Sequence, residues 1–279
     1  MTDISLSASG KIDSNAVSLF MTVNRVTTGL NIEYFIAGAT ARDVVLGACF
    51  NLDTGAATRD VDFAFMLESW GQYDQLRGSL FETGKFQADA QVKHRLIYED
   101  TVIVDLLPFG YIEAPPGKIS WPPDSAFEMN MHGFREAYQQ ALAVEIAPEV
   151  TVRFASPAGL VLLKLFAWVE RRHAAHGKDA RDIALLLRRY LDAGNQFRLY
   201  ENDSDLLDAE DFDYEIASAR ILGRDIASWL SPDTLSMVRD ILAQGLDESD
   251  DYPLARALPI DNNKALQLLR SFQQGLMDD

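Results

Sequence analysis

Cysteine is nearly absent. Of 279 residues only Cys49 is one. That excludes a disulfide framework and a cysteine-built zinc site. Cys49 itself reads as a small buried residue in or after the first helix of the core. Long apolar runs are also missing, and none approaches the about 20 residues of a membrane span. Positive charge is scarce: 25 Lys and Arg stand against 42 Asp and Glu, a net charge of −17. No general nucleic-acid binding is expected of so acidic a chain, because neutralising phosphates supplies most non-specific affinity. An RNA substrate would need a local basic patch. The four histidines, His94, His132, His173 and His176, show no metal spacing and read as surface residues. The start, Met1-Thr2-Asp3-Ile4-Ser5, lacks the positive end and apolar core of a signal peptide. The expected setting is reducing and cytoplasmic.

What is present begins with an ordinary 48% hydrophobic content, enough at this length for one large or two moderate domains. The informative stretch is Tyr34 to Met66. Tyr34-Phe35-Ile36 is a short β-type run, Gly38 ends it, and Ala39-Thr40-Ala41-Arg42-Asp43 opens a helix. The free N–H groups at a helix start favour anions, phosphate above all. Asp60-Val61-Asp62-Phe63-Ala64-Phe65 then alternates as a strand does. Asp60 and Asp62 therefore share one face, and Val61, Phe63 and Phe65 line the other. Two adjacent carboxylates repel each other, and a hard divalent cation relieves them. A phosphate cradle followed by paired carboxylates outlines a metal-dependent phosphoryl or nucleotidyl transferase.

The rest divides at Ser156-Pro157, a good helix start. Before it, residues 1–13 read as a loose leader, Ser14 to Leu30 and Ser69 to Thr83 as helices, and Asn51 to Thr58 as a loop. Arg95 to Tyr98 and Thr101 to Leu107 read as a hairpin across the two-residue turn Glu99-Asp100. Glu113 to Ser125 reads as a loop or hairpin tip, and Ala143 to Ile146 with Thr151 to Phe154 as a further strand pair. After the break the chain reads as helices over Pro157 to His173, Lys178 to Leu191, Tyr214 to Leu230, Pro232 to about Leu246 and Asn262 to Met277. The acidic run Glu201 to Glu215 reads as solvated linker or helix surface. The expected fold class is α/β (or α+β): a mixed sheet with flanking helices over 1–156, then a helical domain over 157–279, with a nucleotide in the cleft between them.

Three charged positions stand out. Asp105 interrupts an apolar strand, which is costly unless it is paired, hydrogen-bonded or metal-bound; it reads as a metal ligand or base, or as a strand-end aspartate near the Pro108-Phe109-Gly110 turn. Lys164 lies inside an apolar helix and needs an anion, either a phosphate or a carboxylate such as Asp182 on the next helix. Arg42 reads either as a phosphate contact or as a bridge to a nearby acid, Asp43 or Asp60.

Gly38-Ala39-Thr40-Ala41-Arg42-Asp43, Leu46-Gly47 and Asp60-x-Asp62 together resemble the signature of the nucleotidyltransferase superfamily. The wording is similar to the head of tRNA CCA-adding enzymes and to AbiEii-like nucleotidyltransferases. Ala39 stands where the superfamily's pattern has a second glycine or a serine. Lys164 followed by Lys178-Asp179-x-x-Asp182 resembles the later motifs of the AbiEii-like branch. The resemblance covers about residues 34 to 190. It implies a third carboxylate, matched in kind and order by Asp105. It also implies two Mg²⁺ ions (or Mn²⁺) on Asp60, Asp62 and Asp105. Gly38, Ala39, Thr40, Arg42, Lys164 and Asp182 would then hold the nucleotide. The implied reaction moves NMP from an NTP to a hydroxyl of RNA (tRNA), protein or a small molecule, with pyrophosphate released. A toxin with an antitoxin protein as partner is the implied context. Two alternatives remain: a catalytically silent nucleotide-binding module, and a small-molecule nucleotidyltransferase of the antibiotic-modifying sort.

Overall fold

The structure is a computed structural model that describes residues 6–55, 60–123, 125, 127–172, 177–208 and 212–278. The chain divides into two compact units, Met1–Ser156 and Pro157–Asp279.

The first unit is built on a mixed sheet. Its strands are β1 (Leu6–Ser7), β2 (Tyr34–Ala37), β3 (Asp60–Leu67), β4 (Phe86–Ala88), β5 (Arg95–Tyr98), β6 (Val102–Gly110), β9 (Leu142–Ala147) and β10 (Val150–Phe154). They lie in the order β1-β9-β10-β2-β3-β6-β5-β4. A separate ribbon pairs β7 (Lys118–Ser120) with β8 (Glu128–Asn130). The helices are α1 (Ser14–Leu30), α2 (Gly38–Arg42), α3 (Trp70–Glu82) and α4 (Phe134–Gln139). A π-helix over Asp43–Cys49 continues α2. The period-2 pattern of β3 decides which face is covered. Val61, Phe63 and Phe65 turn towards α1, whose Phe20 meets Phe63 and Phe154 edge-on at 6.1 and 5.7 Å. On the opposite face α4 covers one end, where Phe134 and Tyr138 pack on Phe35 and Phe109. Asp60 and Asp62 belong to that second face.

Several expectations change. Residues 6–7 of the supposed leader add β1 to the sheet edge, parallel to β9. Lys11 Nζ then donates to the Ala48 carbonyl at 2.7 Å. Within the 113–125 stretch, expected as a loop or hairpin tip, residues 118–120 form strand β7, which pairs antiparallel with β8. Cys49 is half-buried rather than buried; burial pushes its thiol pKa up, with Lys11 opposing. His94 is also half-buried, stacked on Phe127 and tilted against Trp121, and burial pushes its imidazole pKa down while Asp105 pulls it up. His132 is half-buried too, its Nδ1 sharing a hydrogen bond with Asn130, while the expectations for His173 and His176 lie outside the described residues. The β5–β6 loop is one residue longer than the expected turn. Glu99 and Asp100 both take positive φ, Thr101 N–H closes on the Tyr98 carbonyl at 3.1 Å, and Tyr98 pairs with Val102.

The second unit is helical: α5 (Pro157–Arg171), α6 (Lys178–Arg189), α7 (Tyr214–Trp229), α8 (Pro232–Gly245), α9 (Pro253–Ala257) and α10 (Asn262–Gly275). Helices α7 and α10 cross at two glycines. A Cβ on Gly223 would stand 2.3 Å from the Phe272 carbonyl oxygen, and one on Gly275 would stand 2.1 Å from that of Arg220. The acidic run is not simply solvated. Asp203 is 3% exposed, held by Arg198 and Arg224 at 2.7 Å each. Arg224 also reaches Asp205 and Asp278. The short-range acidic pattern carries no sign of arginines arriving from other elements; Glu210 and Asp211 lie outside the described residues. No helix among the described residues is long and apolar enough to cross a membrane.

Candidate active site

The site is built from the pairing of β2, β3, β6 and β5. Antiparallel pairing sets Ala37, the last residue of β2, opposite Asp62. Parallel pairing of β3 with β6 sets Asp62 opposite Asp105. Residues opposite each other across a ladder share a face, so Asp60, Asp62 and Asp105 lie on one side of the sheet. Asp105 is 8% exposed.

Gly38 follows β2 directly and opens α2 with φ +64°. Its missing side chain serves the acid face. A Cβ there would lie 1.8 Å from Asp62 Oδ2 and 2.9 Å from its Cγ. The carboxylate of Asp62 thus rests on the glycine at the very start of a helix, where the backbone dipoles favour negative charge. Thr40 fastens the same turn to β3 by donating its hydroxyl to the Asp60 carbonyl at 3.0 Å. Giving that proton to a phosphate would require breaking this bond. Ala39 lies between them in α2.

Arg42 takes the acid-bridging alternative. It is 7% exposed, and its Nε and Nη2 donate to Asp43 Oδ1 at 2.9 and 2.7 Å. Lys164 likewise meets carboxylates. Within the second unit its Nζ lies 3.1 Å from Asp179 and 2.7 Å from Asp182, both on α6. Arg171 adds a two-pronged grip on Asp179 at 2.8 and 2.9 Å. Asp179 and Asp182 are 2% and 5% exposed. Burial alone would push the Asp179 carboxyl pKa up. Arg171 and Lys164 outweigh it and hold the group below its usual value. This cluster ties α5 to α6.

The residue that sequence reasoning missed is Arg95. It stands opposite Asp105 across the β5–β6 ladder. Its Nε and Nη2 each donate to one oxygen of that carboxylate at 2.8 Å. These bonds raise the guanidinium pKa, burial opposes, and the charges of Asp105, Asp60 and Asp89 add to the rise. A cleft of about 280 Å³ in the same unit is lined by residues that include Trp70, Tyr73, Arg77, Asp89, Lys93 and Trp121. Asp89 lines it, and Asp60, Asp62 and Asp105 do not.

The donor set can be tested against a divalent cation. Asp60 and Asp62 are hard oxygen donors two residues apart on one strand face, which suits one such ion. Asp105, the third carboxylate of the expected set, accepts from Arg95 on both of its oxygens. No group of three His, Cys, Asp or Glu among the described residues could hold a metal.

No curated protein matches the chain. Among solved structures, the antibiotic-resistance factor ANT(2'')-Ia is 15% identical over 70% of this chain and 96% of its own, with a TM-score of 0.39. An antigenic nucleotidyltransferase-like protein from Paracoccidioides brasiliensis is 20% identical over 70% and 92%, with a TM-score of 0.43. A CCA-adding enzyme solved with ATP is 11% identical over 95% and 82%, with a TM-score of 0.26. The model of one family, nucleotidyl transferase AbiEii toxin of type IV toxin–antitoxin systems, matches residues 38–252. That span begins at the glycine beneath Asp62 and takes in both the acid face and the Lys164 cluster, and the chain belongs to this AbiEii nucleotidyl transferase family.

Proposed function

We propose that the chain moves a nucleoside monophosphate from an NTP to a hydroxyl acceptor on RNA, protein or a small molecule, releasing pyrophosphate, and that it does so as a toxin paired with an antitoxin protein. The observation that carries this reading is the seat of Asp62. Its carboxylate rests on Gly38 at the mouth of α2, in register with Asp105 and two residues from Asp60. Asp60 and Asp62 would hold Mg²⁺ or Mn²⁺. A cation bound there offsets triphosphate charge and polarises the reacting phosphoryl group. The first N–H groups of α2, at Gly38, Ala39 and Thr40, would receive phosphate oxygens. Holding the nucleotide in line and shielding its charge supplies most of the catalysis in phosphoryl transfer. Arg42 and Lys164, each engaged by carboxylates, have no part in this proposal as nucleotide contacts.

The test is incubation with each labelled NTP and Mg²⁺ in the presence of total tRNA, protein lysate or aminoglycosides. The expected result is label on one acceptor class, abolished in Asp62→Asn while the melting temperature of the nucleotide-free protein holds. Stabilisation by NTP and Mg²⁺ with no pyrophosphate released would mean a silent binding module instead.

A further inference from the structure

The starting point is the position of Asp105. It sits inside β6 between Val104 and Leu106, both fully buried, and is itself 8% exposed. A carboxylate so placed needs a positive partner. The two ladders flanking β6 decide which partner it gets. On one side is Asp62, and on the other is Arg95. A single row thus crosses three adjacent strands as Arg95, Asp105, Asp62, with strands about 4.8 Å apart. Asp60 is two residues along the third strand.

The Arg95–Asp105 contact is a fork on a fork. Two guanidinium nitrogens meet two carboxylate oxygens, each at 2.8 Å, the geometry that makes such pairs strong. Arginine does not release its proton at any ordinary pH. Its backbone is pinned by the ladder from Arg95–Asp105 to Tyr98–Val102, so the charge cannot drift far from the acid row. The Arg95 side chain is 27% exposed against 11% for that of Asp105, so the guanidinium keeps an open edge. Its Nη1 makes no hydrogen bond among the described residues. Asp60 is near enough to add to the pull on Arg95.

The geometry points to Arg95 as a built-in replacement for a second cation. The site takes one divalent ion, on Asp60 and Asp62, and the guanidinium supplies the other fixed positive charge facing the nucleotide phosphates. This rests on the reading that Asp60 and Asp62 hold a cation. Asp105 is then the positioning residue that aims Arg95, not a metal ligand. A permanent charge also differs from an exchangeable one in how it responds to supply, since only one ion has to be drawn from solution.

The experiment is equilibrium dialysis of the full chain against Mn²⁺ with a saturating non-hydrolysable NTP analogue, corrected for metal held by free analogue. Electron paramagnetic resonance on the same samples reads whether bound ions are spin-coupled. The expected result is one Mn²⁺ per chain with no coupling. Arg95→Ala releases Asp105 and should raise the count to two, with a coupled spectrum. Should that variant fail to fold, Asp105→Asn carries the test. The proposal expects it to keep one ion with an affinity changed by less than about threefold, well below the tenfold that corresponds to about 1.4 kcal/mol. Two coupled ions in the parent, falling to one in Asp105→Asn, would overturn the proposal. No bound ion in the parent would instead sink the Asp60–Asp62 reading beneath it, and this proposal with it.

Discussion

Gly38 and Asp62 behave as one unit at the residue scale. A methyl group on Gly38 would enter the volume of the Asp62 carboxylate and would also strain a backbone at φ +64°. Gly38→Ala should therefore lower stability by about 1–3 kcal/mol and abolish Mn²⁺ binding together with nucleotidyl transfer. Urea melts and Mn²⁺ titration check this; a variant that binds metal normally would show that the acid is free to sit elsewhere. The two aspartates and the glycine were legible in the sequence because a strand's alternation and a helix-opening glycine are local patterns. The contact between them was not, since it depends on Ala37 pairing with Asp62 across 25 residues of chain. Arg95 was hidden for a smaller reason. A two-residue turn at Glu99-Asp100 would set Arg95 opposite Val104. The three-residue loop moves the register by one and sets it opposite Asp105.

The α5–α6 pair shows what a buried ion cluster asks of its helices. Lys164 is the cation shared by Asp179 and Asp182, whose side chains are 3% and 6% exposed. Lys164→Met keeps the apolar stem and removes the cation that Asp179 and Asp182 share. Breaking such a cluster from one side costs about 3–5 kcal/mol, so the urea midpoint should fall sharply. An unchanged midpoint would mean the lysine is free for another anion. Acid should reveal the same group. Asp179 has its folded pKa below the unfolded value of about 3.9. Its contribution is therefore present above that value and is lost as pH falls through the lower, folded value. Losing Lys164 raises the folded pKa, so in Lys164→Met the acid-side loss of Tm should begin at higher pH, as melts between about pH 3 and 7 would show. The sequence offered Lys164 two anions and could not choose, because the choice is made by how two helices pack.

The net charge of −17 governs long-range behaviour at the scale of the whole chain. At about 0.15 M salt, random single-stranded RNA should bind more weakly than about 0.1 mM, the weak end of the usual non-specific range. Fluorescence anisotropy with a labelled RNA measures this; tighter, steeply salt-dependent binding would reveal a basic patch that the total conceals. The break at Ser156-Pro157 shows in the sequence because Ser-Pro is a helix start and the helices after it have helical spacing. The sheet's outer strands do not. β1 has two residues and β4 three, and the separate ribbon strands β7 and β8 have three each. Runs that short show no periodicity and become strands only because a neighbouring segment offers them hydrogen bonds.

The crossing of α7 and α10 has a consequence for how this protein tolerates change. Gly223 and Gly275 each leave room for the other helix's backbone, so they are two halves of a single constraint. Alanine at either site must push the helices apart. Once they have moved, much of the space needed by the second alanine already exists. Gly223→Ala and Gly275→Ala should each destabilise strongly, and the double variant should cost less than their sum, a coupling of the 0.5–3 kcal/mol size seen for residues in contact. A sequence wandering by single steps would meet the full barrier at the first substitution and little at the second. The pair is thus held in place less by what two alanines would do together than by what one must do alone.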